Sequence, residues 1–249
     1  MHFTSPRPLV NQSSHQLCPP PPPSQPPNNW RAEGVTRAGI YGFTLLNCFD
    51  LLEADASAIE QHHEITPARA WRIGIRSINY NTLTRWAILE AAVQERFGWR
   101  PDYPGGFYLD GEHVRMCFPE RGLIVPCRDR RGFAQALLCY RHAADDKPFW
   151  VSSAKHGGAK AVPSLHFAGR SNAERNNVVV LTRDTLTAEA VAGNAAITVA
   201  GLNGCTPLAV VAQLRAAYPN LRAVILDVAA EPALCRALRN AGLRWEAGL

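Results

Sequence analysis

Lysine is nearly absent from this chain. Of 26 basic residues in 249, three are lysines, Lys147, Lys155 and Lys160. The rest are arginines, whose planar guanidinium suits bidentate phosphate contacts, although a GC-rich genome gives the same bias. No stretch approaches the roughly 20 apolar residues of a membrane span. No charged segment followed by an apolar run opens the chain, so no secretory leader is expected. The seven cysteines are scattered and contain no C-x-x-C pair, which argues against a zinc ribbon or a disulfide framework. Cys139 and Cys235 lie in apolar runs, where a reduced core thiol is the default. A cytoplasmic protein without membrane contact is expected. No G-x-x-x-x-G-K-[ST] phosphate loop occurs. The charge balance, 26 − 21 = +5, is compatible with nucleic acid without requiring it.

What is present is unevenly distributed. Residues 1–29 hold nine of the 19 prolines, including Pro19–Pro23. That composition cannot build a core, so a disordered tail over 1–39 is expected; a PxxP-type ligand for a partner domain is the sharper alternative. Apolar spacing over 40–64 suits a helix. Thr66-Pro67 offers an N-cap followed by proline at the first helical position, opening a short helix that ends near Gly74. LTRWAILEAAVQERFG carries a stripe of Leu83, Trp86, Ile88, Leu89, Ala92, Val93 and Phe97. These make a helical module over 40–102.

The texture then changes. FYLDGEHVRMCF alternates around Asp110-Gly111, a hairpin signal. GLIVPCRDRRGFAQALLCYRH bends at Asp129–Gly132, and KPFWVSS supplies another strand, so 105–153 should form an antiparallel sheet inside a β region spanning 103–170. From 171 to 249 short apolar strands (VVVLT, AITVAGL, AVILDVA) alternate with helical segments, the mark of a parallel sheet covered on both faces. Ligands bind such sheets beyond the carboxyl ends of the strands. The residues to inspect there are Arg183, Asp184, Asn203, Gly204, Asp227 and Ala229. The expected fold is α/β (α+β overall): helical module, antiparallel hairpins, then the parallel sheet.

Several segments, in this order, carry a resemblance: ITPARAWRIGIRS, PGGFYLDG, GLIVPCRDRRGFAQALLCYR, FWVSSAKHGGAKAVPSLHFAG, VVLTRDTLTAEAVA, VAGLNG and AVILDVA. The last ~75 residues resemble a Toprim domain, the module shared by bacterial primases, type IA and II topoisomerases and some nucleases. Residues ~64–249 resemble a Toprim-like domain of unknown function from plasmid, phage and integrative-element proteins, often found beside a helicase or primase. The resemblance implies a bacterial, replication-related protein of a mobile element. It also implies a glutamate after the first strand as general acid/base and an Asp-x-Asp that holds Mg²⁺.

The departures from that pattern decide the functional expectation. Where the family reads E-G-x-x-K-A, this chain reads Arg183-Asp184-Thr185-Leu186-Thr187-Ala188. Asp227 is present in the later motif, but the second aspartate position is Ala229. Mg²⁺ needs hard oxygen ligands, and an arginine cannot serve as a general base. Arg183 could instead occupy the metal's place and pair with Asp227. Asp184 could stand in for the glutamate only if the strand end slipped by one residue, reversing its side chain. The expectation is a non-catalytic module that contacts single-stranded DNA or a helicase or primase partner and needs no cofactor. One alternative is an Mg²⁺-dependent nucleotidyl transferase or nuclease, with Asp227 as metal ligand and Asp184 as base. The other is a truncated gene remnant.

Other constellations have two readings each. His62-His63-Glu64 invites a metal, but adjacent helical residues do not share a face. The loop Ser152–Lys160 is either a flexible connection or a phosphate contact through Lys155 and Lys160. Arg115, Arg121, Arg128, Arg130, Arg131 and Arg141, near Tyr108, Phe118 and Trp150, are either a stacking and phosphate-tracking groove or a solvated sheet edge. With Arg183, the binding candidates are Arg128, Arg130, Arg131, Lys155 and Lys160.

Overall fold

The computed structural model of the chain describes residues 37–47, 50–79, 83–98, 103–119, 121–142, 148–169, 177–194, 197–227 and 231–248. The proline-rich segment 1–36, Asp145-Asp146 and Ala229 lie outside the described residues.

The helix expected over 40–64 is two helices, α1 (Arg37–Asn47) and α2 (Glu53–His63). Between them, residues 50–52 run beside a strand that the sequence reading does not anticipate, β1 (Arg76–Asn79). Ser77 N–H donates to the Asp50 carbonyl at 2.9 Å, and Leu52 N–H donates to Ser77 Oγ at 2.9 Å. Those bonds replace the helical ladder and break the helix. Short α3 (Pro67–Arg72) starts at Thr66, whose Oγ1 accepts from Arg69 N–H. The expected long helix is α4 (Leu83–Phe97), but of its expected stripe Leu89 and Val93 are buried while Ile88, one position before Leu89 and so on another face, is 61% exposed.

The hairpin at Asp110-Gly111 forms as β2 (Phe107–Asp110) and β3 (His113–Met116), but as a separate two-stranded sheet. The main antiparallel sheet has the order β1-β4-β5-β6, with β4 at Arg121–Arg128, β5 at Ala134–Tyr140 and β6 at Phe149–Trp150. Its central strands are covered on both faces. Ile124, Leu137 and Cys139 pack with α1 and the hairpin, while Leu123, Val125, Leu138 and Tyr140 pack with α2 and α3. This is why β4 and β5 read as nearly unbroken apolar runs.

The second sheet has the order β11-β10-β8-β9-β7. Strands β8 (Val178–Thr182), β9 (Val199–Gly201), β10 (Ala223–Leu226) and β11 (Arg244–Ala247) are parallel. An unanticipated edge strand, β7 (His166–Ala168), pairs antiparallel to β9. Helices α6 (Pro207–Ala217) and α7 (Pro232–Asn240) cover one face. Helix α5 (Thr185–Asn194) covers the other, and its Leu186 reaches into the core of the antiparallel sheet. The architecture is α/β, with α5 shared between two sheets. Among the described residues no helix is long and apolar enough to cross a membrane.

A buried polar cluster seals the seam between the sheets. The Arg128 backbone N–H donates to His166 Nδ1 at 3.2 Å. That leaves His166 Nε2 to donate to Glu189 Oε1 at 2.9 Å, while Arg69 Nη2 donates to Glu189 Oε2 at 2.8 Å. Three elements, α3, β7 and α5, thus meet on one carboxylate, and β4 joins them through His166. Burial alone would push the Glu189 carboxyl up; its bonds to His166 and Arg69 overcome this and hold it well below the usual carboxylate range.

A carboxyl depressed in the folded state contributes stability above its unfolded pKa, about 4.3. The contribution is lost as pH falls through the lower folded value. Glu189→Gln should therefore cost about 3 kcal/mol at pH 7 and flatten the loss of stability below about pH 4.3. Urea denaturation across pH checks both; an acid limb as steep as the parent's would remove Glu189 as the group responsible.

Candidate functional site

Strands β8 and β10 are neighbours in the sheet, yet their connections diverge. From β8 the chain passes through α5 to β9 on one side, and from β10 through α7 to β11 on the other. Divergence leaves a crevice beyond the carboxyl ends of these two strands. It measures ≈ 600 Å³ and is walled by Leu202, Pro207, Val210 and Leu234, with Arg183, Thr187, Asp227 and Glu231 as its polar groups.

Arg183 follows β8 directly, and its side chain is 62% exposed. Its Nε donates to Asp184 Oδ2 at 3.0 Å. Asp184 is buried, and its other oxygen accepts from both Thr187 N–H (2.9 Å) and Thr187 Oγ1–H (3.0 Å). That is N-cap geometry for α5. Both carboxylate oxygens of Asp184 are therefore engaged, one by the helix and one by the guanidinium. The carboxylate is directed at its own helix and is not part of the crevice lining.

The turn after β8 is fixed from a second side. Asn203 adopts a left-handed backbone (φ 51°) and is buried. Its Oδ1 accepts from Thr185 N–H (2.8 Å) and Thr185 Oγ1–H (3.0 Å). Its Nδ2 donates to the Ser164 and Gly201 carbonyls at 3.2 and 3.3 Å. Gly201 completes the constraint, because a Cβ there would lie 2.5 Å from the Asp184 carbonyl oxygen. Residues 183–185 consequently have little room to slip by one position, the shift Asp184 would need to act as a base.

The other crevice groups come from the far strand. Asp227 is exposed, and its backbone N–H donates to the Leu181 carbonyl at 2.8 Å, continuing the β8–β10 pairing. Glu231 sits at the N-cap of α7, makes no side-chain cap bond, and faces the crevice. The sequence reading missed it. The available signal was Glu231-Pro232 opening a helix four residues beyond Asp227. Cys205 also lines the crevice, but burial pushes its thiol up to about 11, so it is no nucleophile at neutral pH. Among the described residues no three His, Cys, Asp or Glu side chains gather as a metal-holding group, His62-His63-Glu64 included.

The remaining candidates lie elsewhere. The crevice meets the first turn of α6, at Pro207 and Val210. Arg130 lies over the Tyr218 ring at 5.9 Å, just past the opposite end of that helix, about 15 Å away along its axis. Arg131 is exposed in the same β4–β5 turn. Arg128 turns inward at the seam: its Nε is buried without an acceptor among the described residues, and burial lowers its pKa. Lys155 and Lys160 are exposed on the loop after β6. Arg115 pairs with Glu90 at 2.9 Å and Asp110 at 3.7 Å. The structure thus brings Arg183 and Asp227 to one crevice and leaves the hairpin arginines and loop lysines outside it.

No protein-family model matches the sequence, and no curated protein matches it. The fold does match solved structures. The zinc-binding and RNA polymerase domains of the Aquifex aeolicus primase superpose with a TM-score of 0.60 at 12% identity, over 87% of this chain and 56% of that one. A DnaG primase catalytic domain bound to single-stranded DNA gives 0.54 at 13% identity, over 85% and 69%. A DNA primase domain from Pseudomonas aeruginosa gives 0.54 at 13% identity, over 85% and 70%. The chain spans about half the length of the Aquifex structure. The fold is therefore primase-related, and identities this low speak to fold alone.

If Arg183 is the group that keeps a dication out of the crevice, replacing it with an acid should let one in. Arg183→Glu adds a carboxylate to a crevice already holding Asp227 and Glu231. Mn²⁺ affinity measured by calorimetry should rise at least about tenfold over the parent. Equal affinity in the two proteins would reject the assignment.

Proposed function

We propose that this chain is a primase-fold protein of a mobile genetic element that binds single-stranded nucleic acid, or a replication partner such as a helicase or primase, without metal-dependent catalysis. One observation carries the reading: Arg183 stands at the end of β8 with its Nε on Asp184, and Asp184 is taken up as the cap of α5. The Toprim resemblance implies a divalent cation here, and the Arg183–Asp184 pair does not fit one. Catalytic Mg²⁺ takes converging carboxylates and waters. A permanently charged guanidinium opposes that cation, and both oxygens of Asp184 are already engaged, by Arg183 and by the cap of α5.

The nucleic-acid part of the reading rests on the primase-related fold and on surface cations. Arg131, Lys155 and Lys160 are exposed, and Arg183 adds a cation at the crevice. Charge-assisted contacts of this kind track a phosphate backbone without needing a metal.

Glu231 favours a second reading. With Asp227 it places two carboxylates in the crevice, enough for an atypical Mg²⁺ site in a nucleotidyl transferase or nuclease. The readings separate in one experiment on the full chain. Fluorescence anisotropy of a labelled single-stranded oligonucleotide is followed at 50 and 200 mM salt, with and without Mg²⁺. Release of counterions from about three phosphates predicts a roughly 20-fold loss of affinity over that range. Mg²⁺ should add nothing beyond screening, and no primer should form when nucleoside triphosphates are supplied. Mg²⁺-dependent synthesis or cleavage that Asp227→Asn abolishes would replace the binding reading with the enzymatic one.

A further inference from the structure

The loop after β6 and the β2–β3 hairpin meet in a stacked ring pair that neither the crevice nor the core uses. The Tyr108 and His156 rings lie 4.6 Å apart at 18°. Tyr108 is half-buried on β2, and His156 is exposed at the end of a short 3₁₀ turn, Ala154–His156. The tyrosine is therefore the inner ring, and the imidazole presents its other face to solvent.

The loop does not need that ring to hold its shape. Ser153 is fully buried; its N–H and Oγ–H both donate to the Ala159 carbonyl, at 3.0 and 3.2 Å. Ser152 Oγ accepts from Ala154 and Ala161 N–H, each at 3.3 Å. The His156 and Gly158 N–H groups donate to the Ser153 carbonyl. Gly158 lies against β2 so closely that a Cβ would come within 2.7 Å of the Phe107 carbonyl oxygen. The loop is closed by its own backbone, and the imidazole is held flat on top of it. A rigid, exposed aromatic face costs little ordering when a second ring stacks on it.

Charge surrounds the pair. Lys155 precedes His156, and Lys160 closes the same loop; both are exposed. Arg115 is the cross-strand partner of Tyr108, so it shares that face of the hairpin. Its guanidinium is held by Glu90 and Asp110, and Asp110 is the exposed acid beside the pair. Two exposed cations on the loop that carries a flat ring are the elements by which proteins hold single strands: stacking for the base, lysines for the phosphate.

We propose that the Tyr108–His156 pair is a nucleobase-stacking platform, with Lys155 and Lys160 holding the phosphates that flank the stacked base. The proposal rests on the nucleic-acid reading given above and adds a site to it, away from the crevice residues.

The test uses the full chain and two fluorescent probes of equal length, oligo(dT) and an abasic deoxyribose-phosphate strand. His156→Ala should weaken oligo(dT) binding about tenfold and leave the abasic strand unchanged. His156→Phe, which keeps a flat ring, should restore binding. Lys155→Ala should weaken both probes alike. His156 is exposed, so these variants should melt with the parent, which circular dichroism checks. Oligo(dT) binding that His156→Ala leaves intact would overturn the platform and spare the nucleic-acid reading. An equal loss on both probes would make His156 a phosphate contact and overturn stacking. Binding to neither probe would overturn the platform together with the nucleic-acid reading it rests on.

Discussion

The structure depends on one helix that is buried on two sides. Helix α5 has ten residues, and both sheets pack against it. Leu186 enters the core of the antiparallel sheet, while Ala188 and Ala192 lie on β7, β8 and β9. Small residues let the parallel sheet approach the helix closely: Ala188 and Ala192 pack against Ala168, Val180 and Val199. A helix enclosed in this way must have its polar groups satisfied locally, since water is excluded from most of its length. Its N-terminus is satisfied by Asp184 and Asn203, and its middle by the Glu189, His166 and Arg69 contacts.

That requirement bears directly on chemistry. The residues after β8 must either close the helix or project into the crevice. A carboxylate that caps a buried helix is committed to the cap, because withdrawing it would leave amide donors without acceptors. In this chain the acid falls at the capping position and the guanidinium at the projecting one. Exchanging the character of those two neighbours would exchange the character of the crevice. The sheet, the switch in connection and the walls of Leu202, Val210 and Leu234 would persist, which is how one fold hosts different functions.

Much of this was legible beforehand. The helix at Pro67, the hairpins at Asp110-Gly111 and Asp129–Gly132, and the alternation of strands and helices after 177 all follow from local signals: caps, turn residues and unbroken apolar runs. Arg183 and Asp184 were also visible as the residues that follow β8, but their roles were not. A capping aspartate and a catalytic one look alike until the direction of the side chain is known. Strands β1 and β7 were missed because they are short and hold polar residues, Ser77 and His166, whose partners are remote in sequence. The inward turn of Arg128 is hidden for the same reason. Alternation along β4 gives its periodicity, but not that α3, β7 and α5 close over its end. The seam is built from pairs up to 120 residues apart, Arg69 with Glu189, and no local pattern encodes such a contact.

The crevice and the ring pair also differ in how their contributions respond to conditions. Under the proposed reading, phosphate contacts by Arg183, Lys155 or Lys160 would draw on counterion release and fade as salt rises. Stacking on His156 draws on dispersion and apolar burial, which salt scarcely weakens. Lysines on a loop bind any strand, whereas a ring discriminates strands with accessible bases from duplexes whose bases are already stacked. A rigid aromatic face would supply the part of the affinity that persists at physiological ionic strength, and with it a preference for single strands.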